Sequence, residues 1–200
     1  MNWQTLCADP LGFVHRQALL DCLGDGPEPL REHVLAQSRF RQRLLARLMQ
    51  HYGLQPLAQL PTPEEGALAV LRLAPGAFAR LPRLCGAIWH GATLAREVRG
   101  PVLQQLREQL GSGIYEQALA ARALAGAADL LREPAALVAA IDQDGAACVS
   151  AWLHSQPDAL RAWLLLRLPL PTDVPAQPAV HPGIVPVAAA SLAEHEGPAP

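Results

Sequence analysis

The sequence predicts an all-α protein, on three observations. Apolar residues recur at helical spacing through most of the first 168 positions. Gly and Pro punctuate those runs where helices start and stop. Alternating β-branched and aromatic runs, the mark of strands, are missing at any useful length. Half of the 200 residues are apolar and 17% are charged, against about a quarter in an ordinary soluble domain. The material suffices for a single compact multi-helix domain of about eight or nine helices, with apolar surface left over.

Asp9-Pro10 reads as an N-cap followed by proline in the first turn, and Gly24 closes that segment. Gly26 to Tyr52 is the longest candidate helix, carrying Val34, Leu35, Leu44, Leu45 and Leu48 at helical spacing and stopping at Gly53. Thr62-Pro63-Glu64-Glu65 is a capping box that opens a helix through Leu73, which Pro75 ends. An apolar helical segment follows from Pro82 to Val98, and Gly100-Pro101 separates it from Val102 to Leu110. Ser112 caps Ile114 to Leu131, Pro134 opens a helix that Gly145 ends, and Gly145 to His154 and Pro157 to Leu168 complete the body. Residues 169–200 form a Pro/Ala-rich tail, extended or partly disordered, with room for a turn or two of helix over Ala188 to Glu194.

Charge is uneven. Residues 1–100 hold eleven Arg and eight acids, whereas residues 101–200 hold five Arg and ten acids. The overall charge of −2 does not suit a generally basic nucleic-acid binder. All sixteen basic residues are arginine, a composition typical of GC-rich bacterial genomes. The opening ten residues lack a basic n-region and carry Asp9, so they do not read as a signal peptide. The longest uncharged stretch, Val174 to Ala193, contains four prolines and cannot form a spanning helix. Cys7, Cys22, Cys85 and Cys148 are scattered, which suits reduced cytosolic thiols.

No catalytic or cofactor chemistry is expected. None of the seven histidines pairs with another His or a Cys at i+3 or i+4. Asp142-Gln143-Asp144-Gly145 imitates the middle of a calcium loop, but Ala140 and Ala151 occupy its first and last ligand positions. No serine lies in G-x-S-x-G, Cys148 and His154 fall on opposed helix faces, and the glycine pairs at 24–26 and 111–113 lack a phosphate-binding context. Trp89, Trp152 and Trp163 are core candidates, while Trp3 either caps the core or is an exposed anchor.

One surface feature stands apart. Arg39, Arg43, Arg47 and His51 follow at intervals of four, beside the apolar stripe of Phe40, Leu44 and Leu48. From Arg31 to Tyr52 there are five arginines and one acid, Glu32. Such a stripe is either solvated or meets an acidic protein surface, to which Arg forks well. The other class of function it allows is a helical nucleic-acid-binding or regulatory module using the Arg39–His51 face, although only 4% of residues are aromatic and available for base stacking.

Several patterns, in order, resemble the SctK family (YscK-like proteins), the accessory subunit of the bacterial type III secretion sorting platform. They are Ala8-Asp9-Pro10-Leu11-Gly12-Phe13-Val14-His15, Leu84-Cys85-Gly86-Ala87-Ile88-Trp89-His90-Gly91, Val102-Leu103-Gln104-Gln105-Leu106, Ala162-Trp163-Leu164 and Leu166-Arg167-Leu168-Pro169-Leu170. Order and spacing hold over roughly the first 170 residues. The tail differs from members that carry basic residues there. The resemblance implies a non-enzymatic cytoplasmic adaptor, peripheral to the inner membrane through the secretion apparatus and needing no cofactor. Its implied partners are the pod protein and the forkhead-associated-like cytoplasmic domain of the inner-membrane ring protein.

Overall fold

Proline marks the opening turn of several helices, because its fixed φ suits the first turn and its missing N–H would have no partner there. The computed structural model describes residues 3–130, 132–167 and 183–195. In chain order the α-helices are α1 (Trp3–Ala8), α2 (Arg16–Cys22), α3 (Glu28–Ala36), α4 (Arg41–Tyr52), α5 (Glu65–Arg72), α6 (Pro75–Trp89), α7 (Gly91–Arg96), α8 (Gly100–Leu110), α9 (Ser112–Ala120), α10 (Pro134–Ser155), α11 (Asp158–Leu165) and α12 (Ile184–His195). Short 3-10 turns lie at Pro10–Phe13, Ser38–Phe40, Leu57–Gln59 and Arg122–Leu124. The protein is all-α, and among the described residues there is no strand.

Among the described residues there are twelve α-helices, roughly the expected eight or nine, the surplus arising where long candidates are broken. The run from Gly26 to Tyr52 divides at Gln37, whose backbone is extended (φ −91°, ψ 114°). That break lets α3 and α4 each pack against α2. Gly53 ends α4 in the left-handed conformation (φ 63°), as its place after Tyr52 predicts. The expected helix over 114–131 stops at Ala120. Beyond it, the N–H groups of Gly126 and Ala127 both donate to the Trp89 carbonyl, at 3.2 and 3.1 Å. These bonds serve the open end of α6, and they outweigh the helical propensity of the alanine-rich stretch.

Two boundaries differ in the opposite sense. Pro75 opens α6, which runs through Pro82 instead of starting there. Gly145 does not end a helix; α10 continues through it to Ser155. The cause is a close crossing of backbones. A Cβ on Gly145 would lie 2.8 Å from the Pro82 carbonyl carbon and 3.0 Å from the Gly86 nitrogen. A Cβ on Gly86 would lie 2.7 Å from the Ile141 carbonyl carbon and 2.9 Å from the Gly145 nitrogen. In each case the corresponding carbonyl oxygen is nearer still. Each glycine thus opens the space that the other helix's carbonyl fills, four residues before its own glycine.

The described residues form two compact units. The first draws on residues 3–64 and 156–167, and the second on residues 65–155 and 183–195. The core of the first joins both of its chain segments: Trp163 of α11 is fully buried, lies 6.0 Å from Phe13 between ring centroids, and donates its indole N–H to the Gln55 carbonyl at 2.8 Å. The core of the second is built on α6, whose Ala77, Phe78, Leu81, Leu84, Cys85, Ala87 and Ile88 are all buried. α10 crosses α6 on one side, and α12 packs against α5 and α6 with Ile184, Val185, Ala188, Ala189 and Leu192 buried. The helix expected over 188–194 is therefore present and longer, and it belongs to the core. The remainder of the expected tail, 169–182 and 196–200, lies outside the described residues.

Candidate interaction site

Helix α4 forms because Leu44 and Leu48, one turn apart, are buried, with Leu45, Met49 and Tyr52 half-buried beside them. Burying that stripe directs Gln42, Arg43, Ala46, Arg47 and Gln50 outward, where all are exposed. The four residues of the basic stripe have different surroundings. Arg39 precedes α4 in the 3-10 turn, its guanidinium 4.7 Å above the centre of the Phe40 ring. Arg47 turns back and donates from Nε to the Cys22 carbonyl at 3.0 Å, so it serves the C-terminal end of α2. His51 packs edge-on against Tyr52 at 4.6 Å, and the Tyr52 hydroxyl donates to the Ala18 carbonyl at 3.3 Å.

Arg43 is exposed and has no hydrogen-bond or carboxylate partner among the described residues. The nearby arginine outside the stripe, Arg41, pairs with Asp9, and Glu32 is held by Arg16. The structure thus places Arg43, Arg47 and His51 on one helix and Arg39 just before it. Of the three arginines in the stripe, Arg47 bonds an internal carbonyl, whereas Arg39 and Arg43 keep no internal carboxylate.

Many of the motif residues, by contrast, are buried in the cores of the two units. Phe13 and Trp163 pack together, and the His15 N–H donates to the Leu166 carbonyl at 2.8 Å, so the opening and closing motifs meet. The His15 ring accepts the Gln17 N–H at 3.2 Å and caps α2. Arg167 lies 5.5 Å from the Phe13 ring, and burial lowers its pKa to about 10. In the middle motif, Gly86 makes the crossing with α10, and the His90 ring shares a 2.7 Å hydrogen bond with the Asp144 carboxylate while itself 3% exposed. Leu106 is buried in α8. Residues 168–170 of the last motif lie outside the described residues.

The other candidates resolve into packing. Asp142 accepts two 2.8 Å bonds from Arg83 of α6, and Asp144 is held by His90, the residue that follows α6. Among the described residues, no group of three or more His, Cys, Asp or Glu is placed to hold a metal ion. All four cysteines are free thiols; burial raises Cys85 well above the usual range and Cys148 to about 12. Trp152 is buried and Trp89 half-buried, its ring so close to Gly126 that a Cβ there would collide with it.

Sequence reasoning missed one arrangement. Glu97 is buried and accepts bonds from the Arg99 backbone N–H (2.9 Å), Nε (2.9 Å) and Nη2 (2.7 Å). Those bonds pull its pKa down to about 2 and leave Val98 between them 82% exposed. An acid two residues before an arginine is too common a pattern to signal such a clamp.

No protein family profile matches the chain, and neither does any solved structure. Over 93 residues the chain is 38% identical to the nodulation protein NolU of Rhizobium fredii. The same figures hold for NolU of Sinorhizobium fredii (strain NBRC 101917 / NGR234). The matched stretch covers 46% of this chain and 44% of each relative, so the chain spans less than half the length of the curated relatives it matches. Among the described residues, no helix is long and apolar enough to cross a membrane.

Proposed function

We propose that this chain is a non-enzymatic adaptor of a bacterial type III secretion sorting platform. In that role it links the cytoplasmic domain of the inner-membrane ring protein to the pod protein, and it resides in the cytoplasm beneath the ring. The observation that carries this reading is the ordered series of motifs from Ala8 to Leu170 that resembles the SctK family. The likeness to nodulation proteins of rhizobia agrees with a bacterial origin. The packing of Phe13 on Trp163, and of Gly86 on α10, supports treating those motifs as determinants of a shared framework.

The test is co-expression of the full chain with the pod protein and, separately, with the ring protein's cytoplasmic domain from the same locus. Light scattering then gives the mass of whatever elutes. An adaptor yields a defined heterocomplex with each. A chain that ignores both partners, when both are folded, overturns the reading.

A further inference from the structure

On the adaptor reading, we infer that the outward face around Arg39 and Arg43 docks an acidic helical segment of one of the protein partners. Between Glu32 and Glu64 the chain has four arginines and no acid. Two of the four have internal acceptors, Arg41 on Asp9 and Arg47 on the Cys22 carbonyl. Arg39 and Arg43 do not, and both are exposed. Arg39 in the 3-10 turn and Arg43 in the first turn of α4 carry like charges, and among the described residues neither is paired with an acid.

The chemistry of the two side chains selects the partner. The Arg39 guanidinium carbon lies 4.7 Å from the centre of the Phe40 ring, so an exposed side chain rests against an aromatic neighbour. A planar fork held in this way matches a carboxylate through two parallel N–H···O bonds. Arg43 offers a second fork about one helical turn further on. Carboxylates at i and i+4 on a partner helix have the same separation. Gln42, Ala46 and Gln50, which share the outward face, are uncharged and short enough for a helix to lie across them.

The experiment uses the full chain and calorimetry against the pod protein and the ring protein's cytoplasmic domain. Arg39→Glu/Arg43→Glu is compared with the wild type and with Arg122→Glu, an exposed charge reversal in the second unit. Far-UV circular dichroism checks that all three retain their helix content. The expected result is a Kd at least tenfold weaker for the double reversal with one partner, an unchanged Kd for Arg122→Glu, and wild-type binding that weakens as salt rises. Wild-type affinity in the double reversal with both partners overturns the docking face and leaves the adaptor role standing. Absence of any complex with wild-type chain overturns both. Two results would replace the occupant and so also refute the inference: steeply salt-dependent binding of a DNA duplex that the double reversal abolishes, or a two-chain mass of the isolated protein that it returns to one.

Discussion

Replacing Gly86 with alanine should destabilise the protein, although alanine is the better helix former. In an exposed helix interior Gly→Ala stabilises by about 0.8–1.0 kcal/mol. At Gly86 the new methyl would meet backbone on two sides, 2.7 Å from the Ile141 carbonyl carbon and 2.9 Å from the Gly145 nitrogen. Ordinary carbon contacts need about 3.5–4.0 Å and the Ile141 carbonyl oxygen is nearer still, so α6 and α10 must separate by more than about 1 Å. No rotamer change can relieve this, since the obstructing atoms are main chain. Overpacking of a core costs about 1–3 kcal/mol and occasionally more, and a clash with rigid backbone belongs at the upper end. Subtracting the propensity gain leaves a net loss of about 2 kcal/mol.

For a chain of this length that corresponds to a fall in Tm of roughly 4–8 °C, read by scanning calorimetry. Gly113→Ala is the matched control: it lies in α9 with nothing near the added Cβ and should hold or raise Tm. Gly145→Ala should resemble Gly86→Ala, and the double variant should lose less than the sum, because one separation accommodates both methyls. A Tm for Gly86→Ala at or above the wild type would refute the crossing.

Two further outcomes follow from titratable groups. Glu97 is held down to about 2 against an ordinary value of 4.5 by its bonds from Arg99, so its carboxylate favours the folded state above pH 4.5 and that contribution is lost as pH falls toward 2; urea midpoints across this range should drop less steeply in Glu97→Gln than in the wild type. Cys85 and Cys148 are fully buried with raised pKa values, whereas Cys7 is partly exposed; iodoacetamide on native protein should label Cys7 first, with the other three reached only on denaturation, as mass spectrometry would read.

Features written in local chemistry were legible from the sequence. The stop at Gly53, the starts near Pro101 and Pro134 and the burial of Trp152 and Trp163 all depend on a residue's own backbone preference or on apolar periodicity. What was not legible depends on a partner distant in sequence. Gly145 in isolation reads as a helix stop, and only the approach of α6 turns it into a mid-helix crossing point. Likewise nothing near Ala120 announces the end of α9, because after the 3-10 turn at Arg122–Leu124 the chain carries the Gly126 and Ala127 N–H groups to the Trp89 carbonyl, distant in sequence. The basic stripe was legible as spacing, but not the return of Arg47 to the Cys22 carbonyl, which reduces the stripe's outward charge.

Most motif residues that carry the family resemblance cannot themselves touch a partner. Phe13, Trp163, Leu84, Ile88 and His90 are buried, and Gly86 faces α10. Substituting them would change stability first and assembly only through it. A protein can therefore share those motifs, and the framework they build, while its partner preference resides in residues that the framework leaves outside. Arg39 and Arg43 are such residues: exposed, charged and dispensable to either core. If assembly is encoded there, charge reversal at Arg39 and Arg43 should alter partner binding at constant Tm, whereas Gly86→Ala should lower Tm with partner affinity intact below the transition. That separation of the two readouts is what a framework of buried motifs with an independent docking face requires.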